Sequence, residues 1–168
     1  MRSVVWSAAT DRGSRAGRLT FVKANRNAPV YSHGQIEIAA SPEAVWNLMA
    51  DIESWPNWNS DVKEVTLQGE IVEGTPFRWK AGPGTITSVL RIVDRPNALG
   101  WTGRTFGIDA IHVWRFEPRG ETTIASMEES FDGLVARLFR SRLQKQLDAT
   151  TEAGLETLKA TAERRQRA

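Results

Sequence analysis

The segment Ile108–Phe131, IDAIHVWRFEPRGETTIASMEESF, sets two alternating runs on either side of the turn signal Arg119-Gly120. Alternation with period two marks a strand with one buried face, and two such runs around a glycine turn make a hairpin. With Arg119-Gly120 as a two-residue loop, Pro118 faces Glu121. His112 then lies opposite Met127, Trp114 opposite Ala125, and Ala110 opposite Glu129. Ile108, Ala110, His112, Trp114 and Phe116 share one face with Thr123, Ala125, Met127, Glu129 and Phe131. The other face carries Asp109, Arg115, Glu117 and Glu128 and belongs in water. The first face is mostly apolar and needs a helix to cover it.

Working outward, the hairpin is the end of a series. Short strands are expected at 61–68, 70–81, 85–94, 98–105, 108–117 and 122–131, with Gly69, Gly74, Gly82-Pro83-Gly84, Pro96-Asn97 and Gly107 marking their ends. The links are too short for crossover helices, so the sheet is an antiparallel meander. Parity turns Phe77, Trp79, Ala81, Leu99 and Trp101 inward, and Arg78 and Lys80 outward. Ahead of these, Gln35-Ile36-Glu37-Ile38 alternates as a first strand. Ser41-Pro42-Glu43 then has the cap, first-turn proline and acid of a helix start. Val45, Trp46, Leu48 and Met49 give that helix an apolar face, and Trp55-Pro56-Asn57-Trp58 bends the chain into a second short helix. After the hairpin, Leu134, Leu138, Leu143, Leu147, Thr151, Gly154, Leu155 and Leu158 form one stripe of a single helix from about Leu134 to Arg164. Gly154 suits a close backbone approach or a local bend. The class is α+β, with seven antiparallel strands around a long C-terminal helix.

The 168 residues are of one-domain length, and 40% hydrophobic with 25% charged is ordinary globular usage. No apolar run approaches the roughly 18 residues of a membrane span. There is no cysteine and there are two histidines, which excludes disulfides and thiol catalysis and leaves little to hold a metal. No P-loop precedes a helix and no Gly-x-Ser-x-Gly elbow is present, so neither a cofactor nor a serine nucleophile is expected. Residues 1–30 hold six basic side chains against Asp11 alone, so the remainder is net acidic although the chain totals +2. We read 1–30 as a flexible basic extension, 31–165 as the domain and 166–168 as a tail. The apolar stretch Val4–Ala9 is short for a secretory signal, so a cytoplasmic protein is expected. Nucleic acid is not an expected partner. Arg137, Arg140, Arg142 and Lys145 read as a solvated helix face, or else as a patch for transient membrane contact.

The element order and several motifs resemble the START-like, or SRPBCC, superfamily, the helix-grip fold of the birch-pollen allergen, and in particular its polyketide cyclase/dehydrase branch. The resemblance rests on Ser41-Pro42-Glu43-Ala44-Val45-Trp46 with Asp51, the Trp55-Pro56-x-Trp58 turn, and Gly74-Thr75-Pro76-Phe77-Arg78-Trp79. Pro96 with Leu99-x-Trp101, His112-x-Trp114-x-Phe116-Glu117 and Glu129-x-Phe131-x-Gly133 complete it. It implies a deep apolar cavity and no single reaction. In the cyclases an arginine helps hold the substrate. Arg78 matches by position, but parity turns it outward, and Arg91 or Arg104 would serve only after a register slip.

Seven tryptophans against one tyrosine is the odd feature of the composition. Trp46, Trp79, Trp101 and Trp114 are read as inward, where they form either a packed aromatic core or the wall of a ligand cavity. The candidate ligand-binding residues are Trp46, Phe77, Trp79, Trp101, Trp114, Met127 and Phe131. His112 and Glu129, on diagonal positions, are the one ionisable pair on the apolar face. They are candidates for moving protons, for orienting a ligand hydroxyl, or for satisfying each other. The leading expectation is a module binding an apolar or aromatic small molecule such as a lipid or polyketide. The alternatives are a polyketide aromatase/cyclase or dehydratase using the same cavity, and an interaction protein of the chaperone-activator kind.

Overall fold

The computed structural model describes residues 22–82 and 84–167. Most of the basic extension lies outside them. The order is β1 (Val30–Ile38), α1 (Pro42–Ala50), a 3₁₀ helix (Ile52–Asn57), β2 (Val62–Leu67), β3 (Pro76–Ala81) and β4 (Gly84–Asp94). There follow β5 (Ala98–Thr105), β6 (Ile108–Arg119), β7 (Thr122–Asp132), α2 (Leu134–Leu138) and α3 (Arg140–Gln166). All neighbouring strands pair antiparallel, in the order β1-β7-β6-β5-β4-β3-β2. This is the expected seven-stranded helix-grip sheet, and β1 lies on an edge because it returns to pair with β7.

The local chemistry is the one read from the sequence at α1. Ser41 Oγ accepts the Ala44 N–H at 3.2 Å, and Val45, Trp46, Leu48 and Met49 are buried. Ahead of β1, the Asn25 N–H donates to Ser130 Oγ at 3.0 Å and Ala24 is buried, so the domain takes in residues before Tyr31.

Two elements differ from expectation. The strand expected over 70–81 is confined to Pro76–Ala81. Gly69 (φ 143°) and Gly74 (φ 94°) hold left-handed geometry there, and the Gly74 N–H donates to the Leu90 carbonyl from a loop. The C-terminal helix is broken at Phe139 (φ −109°, ψ 24°) into α2 and α3. The break tucks Ala136 against Val30 and Leu147 but leaves Leu134 and Leu138, two members of the expected core stripe, in solvent. Leu147, Thr151, Leu155 and Leu158 are buried as expected.

The close approach proposed for Gly154 occurs elsewhere: a Cβ at Gly154 would meet nothing within 4 Å. At Gly34 on β1, a Cβ would fall 2.7 Å from Leu155 Cδ1 and 3.3 Å from Thr151 Cγ2, so Gly34 is the residue that lets α3 lie on the sheet. The far end of α3 is fastened to β1 by Lys159 Nζ donating to the Glu37 carbonyl at 2.6 Å and by Glu163 Oε1 accepting the Ala39 N–H at 2.9 Å. That backbone hydrogen bond, with Lys159 beside it, lowers the Glu163 pKa.

Candidate functional site

The β6–β7 hairpin holds His112 directly opposite Glu129, Trp114 opposite Met127, and Ala110 opposite Phe131. The expected register, which set Glu129 across from Ala110, is displaced by two residues. Arg119 pairs with Thr122, so the loop is Gly120-Glu121, and Gly120 has φ 61°. Tight hairpin turns need a positive φ in their first loop position, which glycine adopts freely and Arg119 would not. A shift of two keeps every side chain on its face. It also converts a diagonal His-Glu relation into a facing one.

His112 Nδ1 lies 3.2 Å from Glu129 Oε2, and the two side chains are 11% and 15% exposed. A carboxylate beside Nδ1 favours the tautomer protonated there, which leaves Nε2 as the basic nitrogen. Aromatic rings fix the imidazole: Trp101 stacks on it at 4.4 Å and 24°, and Trp114 at 5.7 Å and 20°. Both His112 Nε2 and Trp114 Nε1 are buried without a hydrogen-bond partner among the described residues. Each such orphan costs about 1–3 kcal/mol. Trp58 Nε1 and Thr151 Oγ1 are orphaned too, but only His112 and Trp114 are neighbours on one strand face. Three other indoles are satisfied: Trp46 donates to the Ala98 carbonyl at 3.1 Å, Trp55 to that of Met49 at 2.9 Å, and Trp79 to Ser88 Oγ at 3.0 Å.

The structure gathers Trp46, Phe77, Trp79, Trp101, Trp114 and Met127 into one apolar cluster, with Trp79 at its partly exposed margin. Phe131 belongs to the neighbouring cluster of Val30, Ala136, Leu143 and Leu147. Sequence reasoning missed Trp55. From the 3₁₀ helix it enters the inner face and meets the rings of Phe77 (5.9 Å), Trp79 (5.9 Å) and Trp101 (5.3 Å). No apolar periodicity marks it, since a 3₁₀ helix of six residues is too short to show one.

Burial grades along the face. At the end covered by α1 and the 3₁₀ helix the aromatic residues are buried, whereas Ile86, Ile108, Ala110 and Phe131, beyond His112 and Glu129, are half-buried. Arg78 and Arg91 are exposed, and Arg104 is exposed and bonded to Asp109 at 2.7 Å, so none of the three enters the inner face. Arg78 instead borders an open hollow of about 350 Å³ with Glu64, Thr66, Gln68, Trp79, Lys80 and Thr85. Another hollow, of about 370 Å³, lies between β1 and α3 and is lined by Ser32, His33, Asp148 and Thr151 among others. Neither reaches His112 or Glu129.

The chain is similar in fold to the ZhuI aromatase/cyclase from Streptomyces sp. R1128, with TM-score 0.72 at 18% identity over 82% of this chain and 96% of that one. It is also similar to a START superfamily protein from Mycobacterium smegmatis (TM-score 0.58, 15% identity, 76% and 98% coverage). A protein from Thermus thermophilus matches with TM-score 0.68 at 20% identity, over 79% of this chain and 96% of that one. No curated protein matches the sequence. At these identities the structural likenesses carry the fold alone. The sequence itself matches the family described as polyketide cyclase/dehydrase and lipid transport over residues 31–163, and the chain belongs to that family.

Proposed function

We propose that the domain binds an apolar small molecule carrying a hydroxyl or carbonyl, at the half-buried end of the inner face, with His112 and Glu129 as its polar anchor. The observation that carries this reading is the adjacency of two buried, unpartnered nitrogens, His112 Nε2 and Trp114 Nε1. A neutral imidazole held at Nδ1 presents an acceptor, and an indole presents a donor. A hydroxyl answers both, and an apolar body suits the surrounding rings, which is the usual composition of a small-molecule site. Trp79 and Phe131 would flank the ligand at the open end, while Trp46, Phe77, Trp101, Trp114 and Met127 back it. Family membership supports the same reading.

Titration of the full chain with fatty acids, sterols and aromatic polyketides, followed by tryptophan fluorescence, tests it. His112→Phe should weaken the best ligand at least tenfold, about 1.4 kcal/mol or more. Unchanged affinity would sink the anchor. A second reading, aromatase/cyclase or dehydratase, is favoured by the Nδ1–carboxylate contact, which leaves Nε2 free to take a proton from a bound poly-β-keto chain. In that case Glu129→Gln keeps binding but lowers turnover roughly 100-fold. For a module that only binds, affinity stays within about tenfold and there is no turnover to lose.

A further inference from the structure

We propose that the end of the domain formed by the β5–β6 turn and α2 docks on an anionic lipid surface. Four large apolar side chains stand in solvent there: Phe106 (71% exposed), Leu134 (70%), Leu138 (68%) and Phe139 (56%). They are gathered by the fold. Gly133 is seated so closely on the Gly107 carbonyl that it has no room for a Cβ, and a Cβ at Gly107 would contact Val135, so the turn and the start of α2 are in contact. Leu134 and Leu138 are one helical turn apart on one face, and Phe139 follows at the break.

The turn is itself unusual. Thr105 pairs with Ile108, leaving a two-residue loop in which Phe106 (φ 46°) and Gly107 (φ 75°) are both left-handed. Asparagine or glycine normally fills the first position, and a bulky aromatic there is an outlier. The fold thus holds a largely exposed phenylalanine, one ring edge against Gly84, in a conformation that phenylalanine disfavours.

Charge selects the occupant. Residues 134–147 hold Arg137, Arg140, Arg142 and Lys145 and no carboxylate. All four cations are exposed, and among the described residues Arg140, Arg142 and Lys145 have no ion-pair partner. Bulky apolar side chains interleaved with arginine suit the boundary between headgroups and acyl chains of an anionic bilayer. A second copy of this chain would bring the same arginines face to face. The docking surface adjoins the half-buried end of the inner face, but it stands whether or not that end binds a ligand.

The test is co-sedimentation of the full chain with vesicles of phosphatidylcholine alone and with one-quarter phosphatidylglycerol, at low and high salt. Binding is expected to the anionic vesicles only and to fall with salt. Leu138→Ser with Phe139→Ser, and separately Arg140→Glu with Arg142→Glu, should each weaken it at least tenfold, with thermal melts unchanged because all four side chains are exposed. Both variants keep the basic residues of 1–30, so undiminished binding in either would overturn the proposal, as would equal binding to neutral vesicles. Failure to bind vesicles, with a concentration-dependent dimer that the same variants abolish, would assign the face to a second copy instead. Failure to bind vesicles, with retention on an acidic carrier protein, would assign it to that protein class.

Discussion

The inner face of the sheet has two ends made of similar residues to different effect. Under α1 and the 3₁₀ helix, Trp46 and Trp55 bond their indole N–H groups to backbone carbonyls, and Trp55 inserts among Phe77, Trp79 and Trp101. Farther along the same face, His112 and Trp114 are stacked on each other, yet each leaves a nitrogen unpaired, and the Glu129 carboxylate meets His112 at Nδ1, the other ring nitrogen. A core selected for stability alone satisfies its polar atoms, as Trp46 and Trp55 do at the first end, although Trp58 Nε1 at the close of the 3₁₀ helix is left unpaired. The second end keeps an unsatisfied pair in a dry setting, where it is poorly suited to stability and well suited to receiving a polar group.

Substitutions at both ends, and at the contacts that frame them, sharpen or break that contrast. The largest effect is expected at the covered end, where Trp55 is 4% exposed. Trp55→Ala removes the ring that three others meet and should destabilise by about 3–5 kcal/mol in urea or guanidinium unfolding. A loss below about 1 kcal/mol would mean that the rings do not form one packed unit. Next comes the double replacement His112→Phe with Glu129→Leu. Exchanging a buried polar pair for apolar residues is often neutral or stabilising by about 1–4 kcal/mol. We expect a protein at least as stable as the wild type that no longer binds ligand. A severe loss of stability would make the pair structural.

The two glycines of the α3 interface should respond with opposite signs. Gly34→Ala pushes a Cβ into Leu155 and is expected to cost about 1–3 kcal/mol. Gly154→Ala enters open space on a helix and should stabilise by up to about 1 kcal/mol. Equal signs would contradict the assignment of the close approach to Gly34.

The smallest effect is on the outer face of β7. Burial works against ionisation of Glu128, but the Arg26 guanidinium at 2.6 Å and the Tyr31 hydroxyl at 2.9 Å outweigh it and lower its pKa. A lowered folded pKa contributes stability above the ordinary glutamate value of about 4.3. The contribution is lost as the pH falls through the lowered value. Glu128→Gln should therefore differ slightly from the wild type at neutral pH and converge with it in acid. The difference should shrink with salt, since Arg26 is well exposed. A gap that widens in acid would show that the folded protein does not favour the ionised form of Glu128.

Much of the fold was legible because alternation and turn residues are local signals. The order of elements, the meander and the inward parity of Phe77, Trp79, Trp101, His112, Trp114, Met127 and Glu129 need no knowledge of long-range contacts. Parity even survived the wrong register, because a displacement of two residues leaves every face unchanged. The register itself was lost on one loop position, and the positive φ of Gly120 is the feature that decides it. The break at Phe139 was hidden because the leucine spacing runs on through it. Apolar spacing reports which residues could share a helix face, not whether the sheet is long enough to cover them. Trp55 was invisible for a related reason, since a 3₁₀ turn has too few residues to show a periodicity. In the candidate site, the choice of His112 and Glu129 was legible from their being the only ionisable pair on an apolar face. Their direct opposition and the orphaned nitrogens needed coordinates.

Native mass spectrometry of the purified full chain, run beside the His112→Phe/Glu129→Leu variant, tests the proposed site most directly. An additional non-covalent mass is expected on the wild-type chain, extractable into organic solvent and absent from the variant. Both proteins flying at their bare sequence masses, before and after incubation with lipids and aromatic polyketides, would contradict it.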